Sequence, residues 1–131
     1  MDNIYREIIL DHFKNPRNFG KMKNPDANAY ENNPFCGDKI EIDVKIKNKE
    51  QRTKNRIIED IKFRAEGCAI SMASASMLTE RVLGKNIKDI KKLNTEDILE
   101  MLGITLTPTR LKCALLPLEV LHKTLALVKS I

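Results

Sequence analysis

The sequence has no tryptophan, two tyrosines, four phenylalanines, five glycines, five prolines and three cysteines in 131 residues. So few rings argue against a platform on which nucleobases stack. The basic stretch Lys45, Lys47, Lys49, Arg52, Lys54 and Arg56 has no aromatic side chain between its charges, so it reads as a solvated hairpin tip and no nucleic-acid partner is expected. Glycine and proline are too scarce for a low-complexity or collagen-like chain. Apolar runs are only a few residues long, which excludes a membrane span of ~20 residues. The first residues, Met1-Asp2-Asn3-Ile4-Tyr5-Arg6-Glu7, contain two acids and no apolar h-region, so no signal peptide and a cytoplasmic location are expected. An odd number of cysteines without an export signal makes a poor disulfide framework. Charge of one sign does not dominate either: 23 Lys+Arg against 18 Asp+Glu leave +5, which permits an acidic partner without demanding a nucleic acid.

Hydrophobic residues make up 42% of the chain, ordinary for a globular protein. The length suits a single domain over 1–131, burying roughly two-thirds of its unfolded surface. Ile4, Ile8, Ile9 and Phe13 recur at helical spacing and predict a first amphipathic helix that stops at Asn15-Pro16. An Asn- and Pro-rich loop follows to Pro34, with a short edge strand near Ala27–Asn32. Ile40, Ile42, Val44 and Ile46 alternate with Glu41, Asp43 and Lys45, the period of a strand with one wet face. A polar tip over 48–55 leads to a second alternating run, Ile57–Ala65, with Ile61, Phe63 and Ala65 inward. After Gly67, Ile70, Ala73, Met77 and Leu78 predict a small-residue helix to about Leu83 with Gly84 as its stop. Short helices are expected over Asn86–Leu93 and from Thr95 to Gly103. Thr107-Pro108 reads as another helix start. Leu118, Leu121, Leu125 and Val128 mark a final helix with Pro117 in its first turn. Early strands and late helices predict an α+β fold, about three antiparallel strands with helices packed on one face.

Each cysteine reads as lying at a junction between elements, where rigid scaffolds hold ligands and catalytic groups. Cys36-Gly37-Asp38 precedes the first strong strand, Gly67-Cys68 precedes the small-residue helix, and Lys112-Cys113 precedes the last helix. Each position also has a reason to favour the thiolate, the form that binds metal and attacks sulfur. Cys68 would sit at a helix N-terminus, Cys113 follows Lys112 with Arg110 near, and Gly37 lets Asp38 turn toward Cys36. The long separations along the chain leave open whether the three thiols meet, and buried inert cysteines are the competing reading.

Ordered motifs along nearly the whole chain carry a resemblance. They are Tyr5 with Ile9-Leu10-Asp11-His12-Phe13-Lys14-Asn15-Pro16-Arg17-Asn18, then Asn33-Pro34-Phe35-Cys36-Gly37-Asp38 and Ile58-Glu59-Asp60-Ile61-Lys62-Phe63. Glu66-Gly67-Cys68-Ala69-Ile70-Ser71-Met72-Ala73-Ser74-Ala75-Ser76-Met77 and Arg110-Leu111-Lys112-Cys113-Ala114-Leu115-Leu116 complete the set. The chain resembles the iron–sulfur cluster scaffold family of IscU, SufU and the N-terminal part of NifU. The resemblance implies a small α+β scaffold, a carrier more than an enzyme, with Cys36, Asp38, Cys68 and Cys113 meeting at one exposed end. Those residues would take persulfide sulfur from a cysteine desulfurase and iron, build a [2Fe-2S] cluster and pass it to recipient apoproteins, with a homo-oligomer as a cluster-bound form. Zn²⁺ is the alternative occupant of the same ligands. Cys113 is expected to accept the persulfide, with Cys36 as the alternative.

The sequence departs from the family at informative places. IscU-type members carry His immediately before the last cysteine; this chain has Lys112. SufU-type members lack that His and share the Gly67–Ser74 pattern, but they carry an insertion between the second and third cysteines that is absent here. The stretch offered to a dedicated chaperone is reduced to Leu106-Thr107-Pro108-Thr109-Arg110. An ammonium has no lone pair, so Lys112 is expected to act as a counter-charge beside the ligands and not as a ligand itself. The alternative activity is a zinc-bound sulfurtransferase that relays persulfide and never holds a cluster. His12 and His122 are expected to serve helix faces or caps, and Met72 and Met77 the core.

Overall fold

The computed structural model describes residues 2–34, 37–48 and 56–128; Cys36 and the expected hairpin tip over 49–55 lie outside the described residues. The alternation of Ile40, Ile42, Val44 and Ile46 builds strand β2 (Asp38–Lys47) at the centre of the sheet. Strand β1 (Ala27–Asn33) pairs antiparallel on one side and β3 (Ile57–Glu66) on the other, in the order β1-β2-β3. The inward faces of the three strands, including Ala27, Ala29, Ile61 and Phe63, form the floor of the core. An irregularity between Lys45 and Ile46 shifts the pairing with β3. Ile58 and Ile61 are therefore both buried although they stand three positions apart. The loop after the first helix returns to the far edge of β3: Phe63 N–H donates to Asn18 O and Gly20 N–H to Phe63 O, each at 2.9 Å.

Five helices complete the described chain: α1 (Asp2–Lys14), α2 (Ala69–Val82), α3 (Ile87–Lys91), α4 (Thr95–Leu102) and α5 (Pro108–Ala126). α2 and α5 lie against the sheet and against each other, and α1 packs on α2. The α+β layering expected from the sequence is what the fold shows. α2 is buried at most of its positions, and its alanines and serines let neighbours approach closely. The serine and threonine hydroxyls that this burial removes from water find partners. Ser76 Oγ is shared by His12 Nδ1 at 2.7 Å and Arg17 N–H at 2.8 Å, and Thr79 Oγ1 donates to Ser76 O at 2.9 Å. α4 opens on a capping box between Asn94 and Asp97 and ends on Gly103 at φ +66°. The ring of Tyr5 lies where a Cβ on Gly103 would stand, so that glycine also seats α1.

Two expectations need correction. The apolar stripe of α1 does not face the core as a unit: Ile9 is buried, but Ile4, Ile8 and Phe13 are 65%, 37% and 38% exposed. The bond from His12 to Ser76 turns α1 so that Ile9 and His12 face α2. The two helix starts expected at Thr107-Pro108 and near Pro117 belong to one 19-residue helix, α5, with Thr107 as N-cap and Pro117 inside. A proline inside a helix removes one N–H and crowds the preceding turn. In that turn Ala114 O takes a 2.7 Å hydrogen bond from the Ser74 hydroxyl of α2. Cys113 is consequently not at a junction but inside α5, and it is buried.

Candidate metal centre

Asp38 continues the even-numbered, inward phase of Ile40, Ile42, Val44 and Ile46, and this places a carboxylate on the core face at the end of the sheet, where it is 1% exposed. Its strand partner across β1 is Asn33, which is also buried. Opposite Asp38 the chain passes from β3 to α2 through Gly67. A Cβ at Gly67 would overlap the Asp38 carboxylate, so the close approach requires glycine. Cys68 is the N-cap of α2 and makes no side-chain cap of its own. Asp38 Oδ1 accepts from Cys68 N–H at 3.0 Å, while Asp38 Oδ2 lies 3.8 Å from Cys68 Sγ. One carboxylate therefore holds the helix start with one oxygen and faces sulfur with the other.

Cys113 enters from α5, which packs on both α2 and the central strand. Its sulfur, that of Cys68 and a carboxylate oxygen of Asp38 all lie within 4.8 Å of one another. Both cysteines are thiols and not members of a disulfide. Cys113 is 2% exposed, whereas Cys68 is partly open. Two thiolates on one tetrahedral zinc stand about 3.8 Å apart, given Zn–S bonds near 2.3 Å. The donor atoms thus need only small adjustments to close on one cation. Two thiolates and a carboxylate suit zinc or iron by softness, with the oxygen as the harder and more labile donor. Fully ionised, the three groups carry three negative charges at a largely buried place, which a cation would offset.

Cys36, the fourth expected ligand, lies outside the described residues. Lys112 is exposed on α5 beside Cys113 and lines a groove of about 220 Å³ with Asn32, Asn33, Pro34, Leu116 and Glu119. Neither histidine joins the three donors. His12 is bonded to Ser76, and burial, then the Arg17 guanidinium, holds its imidazole below the usual pKa. His122 Nε2 lies 3.1 Å from Ile90 O on α3. The expectation of helix-face roles for both holds. Sequence reasoning overlooked Ser71, whose Oγ lies 3.9 Å from Cys68 Sγ. Its signal was the three-residue spacing, which puts positions 68 and 71 on one side of the first turn of α2. Among the described residues, no helix is long and apolar enough to cross a membrane.

Residues 4–130 match the family model for the NifU-like N-terminal domain. The chain is 38% identical to the zinc-dependent sulfurtransferase SufU of Bacillus subtilis (strain 168), over 96% of this chain and 92% of that protein. That alignment spans 143 positions, more than the 131 residues here, so the relative carries residues without counterpart in this chain. The iron–sulfur cluster assembly scaffold protein IscU of Aquifex aeolicus (strain VF5) is 41% identical over 90% of this chain and 71% of its own. Among solved structures, a proposed iron–sulfur cluster assembly scaffold protein for the SUF system from Fervidobacterium islandicum AW-1 superposes with a TM-score of 0.77. It is 28% identical, and the match covers 94% of this chain and 97% of that one.

Proposed function

The chain belongs to the family of NifU-like N-terminal domains, and from that premise we propose that it is a scaffold that receives persulfide sulfur and iron, assembles a [2Fe-2S] cluster and transfers it to recipient apoproteins. The observation that carries this reading is the gathering of Asp38, Cys68 and Cys113 donor atoms within 4.8 Å. Cys36 completes the ligand set in this reading. Sulfur arrives when a thiolate of the scaffold attacks the outer sulfur of a persulfide on a cysteine desulfurase. A new S–S bond forms on the scaffold, the donor's S–S bond breaks, and the donor thiolate leaves. Cys113 is the proposed acceptor, with Cys36 as the alternative. Each delivered sulfur atom gains two electrons to become sulfide; two ferrous ions turning ferric supply half of the four needed, and an electron-transfer reductant supplies the rest.

A cluster or zinc ion held by three thiolates and Asp38 carries a net double negative charge. Lys112, next to Cys113 in the chain and exposed on α5, is the proposed counter-charge, acting through solvent-screened attraction and not as a ligand. The second reading, a zinc-bound sulfurtransferase, is favoured by the absence of a histidine before Cys113 and by the identity to the Bacillus subtilis protein. It is disfavoured by the extra residues of that relative. Anaerobic reconstitution with ferrous iron, a reductant and a persulfide source separates the two. Visible absorption of a [2Fe-2S] cluster with stoichiometric iron is the expected result. Zinc retained against iron, with no chromophore, gives the second reading, and a protein that retains neither metal sinks both.

A further inference from the structure

We propose that Ser71 is a positioning residue for Cys68, its hydroxyl donating to the Cys68 sulfur once that sulfur is a negatively charged ligand; this rests on the reading of Asp38, Cys68 and Cys113 as a metal or cluster site. Ser71 is fully buried in the first turn of α2. It occupies the position from which a helix side chain usually reaches back to the N-cap N–H. That N–H is taken by Asp38 Oδ1, so Ser71 meets the other polar atoms of Cys68: the carbonyl oxygen at 3.1 Å and the sulfur at 3.9 Å.

A hydroxyl has one proton to give. The Cys68 carbonyl already accepts the helical bond from Met72 N–H at 3.2 Å. The Ser71 proton is therefore a second donor to an oxygen that has one, and it can turn to the sulfur without leaving a buried acceptor unmet. While Cys68 is a thiol, the sulfur is a weak acceptor and the carbonyl holds the proton. When Cys68 binds a cation as thiolate, the sulfur becomes the stronger acceptor, and rotation of a single O–H bond brings the proton to it. The two atoms start 3.9 Å apart, so the contact shortens by a side-chain adjustment as the bond forms. Gly67 makes the arrangement possible, because a Cβ there would overlap Asp38 and crowd Ser71 Oγ at 3.0 Å. Asp38 and Ser71 thus flank one sulfur, the carboxylate as a fellow ligand and the hydroxyl as the group that fixes the sulfur's orientation and lowers the energy of its lone pairs.

The test uses the full chain loaded with Co²⁺ for spectroscopy and Zn²⁺ for affinity, comparing wild type with Ser71→Ala, Ser71→Thr, Cys68→Ser and Cys113→Ser. Ser71→Ala keeps the Met72–Cys68 helical bond, and thermal melting of the metal-free protein checks its fold. The expected result is a zinc dissociation constant raised about tenfold in chelator competition, typical for loss of a group that orients a ligand. The sulfur-to-cobalt charge-transfer band should move to longer wavelength, because a thiolate without its hydrogen bond gives up electron density more easily. Ser71→Thr, which keeps the hydroxyl, should restore both; if its extra methyl prevents folding, the Ser71→Ala spectrum decides. An unshifted band with zinc affinity within about twofold of wild type overturns the proposal, as does an equal loss in a folded Ser71→Thr. If Cys68→Ser and Cys113→Ser bind metal as wild type does, the metal-site reading itself fails and takes this proposal with it.

Discussion

Strand β2 carries two buried aspartates, Asp38 and Asp43, 1% and 2% exposed, on opposite faces of the same sheet. Asp43 looks outward and is met by the guanidinium of Arg64 at 2.9 Å, by Met22 N–H at 3.0 Å and by the Asn28 amide. Burial alone would raise its pKa, but Arg64, the Met22 N–H and Asn28 outweigh it and hold the carboxyl below the ordinary range. Glu41 and Gly20 O join the same guanidinium, so the cluster ties β2, β3 and the loop after α1 together. Asp38 looks inward and is met by the Cys68 N–H and two sulfurs. The partners of Asp43 include a cation supplied by the fold. The described partners of Asp38 include atoms that bind cations. Burial of a carboxylate therefore does not identify a site; the chemistry of the groups around it does.

The largest expected effect tests the structural half of that contrast. Arg64→Ala strands the Asp43 carboxylate and should cost about 2–4 kcal/mol in denaturant unfolding, toward the lower side because a quarter of the Arg64 side chain is exposed. Zinc retention by the folded fraction should stay near the wild-type value; a parallel loss would mean the two faces are not independent. Gly67→Ala tests the other half. Its methyl displaces the Asp38 carboxylate, so metal retention should fall tenfold or more while global stability drops by about 1–2 kcal/mol. An alanine variant that retains metal as wild type does would remove Asp38 from the ligand set.

Acidification gives the smallest effect and sharpens the comparison. His12 is held below its ordinary value of about 6.5, so the fold favours the neutral imidazole. The stability this provides is complete above that value and is lost as pH falls through the lowered folded value. Asp43 is depressed from the carboxylate range and loses its contribution only at far lower pH. A downward slope in stability between pH 7.5 and 5.5 should therefore vanish in His12→Asn and persist in Asp43→Asn. The charged groups acting on His12 are Arg17, Asp11 and Glu80, and its hydrogen-bond partner is Ser76.

The alternation in β2, the helix starts at Thr95 and Thr107 and the stop at Gly103 were legible because each depends on a few neighbouring residues. The buried face of α1 was not. Apolar residues occur around much of that helix, and a hydrogen bond to Ser76, far along the chain, selects the orientation. α5 defeated a local rule: packing on β1, β2 and α2 keeps the helix continuous through Pro117. The site was half legible. The phase of β2 could have placed Asp38 inward, yet the meeting of Cys68 and Cys113 is a product of how α2 and α5 cross the sheet, and no spacing encodes it.

Depth sorts the two thiols by access. Cys68 is partly open to solvent and Cys113 is covered. A reagent or an incoming ion that reaches this pair through the opening meets the outer sulfur before the inner one. A cation held by this pair, as proposed, would have one side toward solvent and one side toward the core.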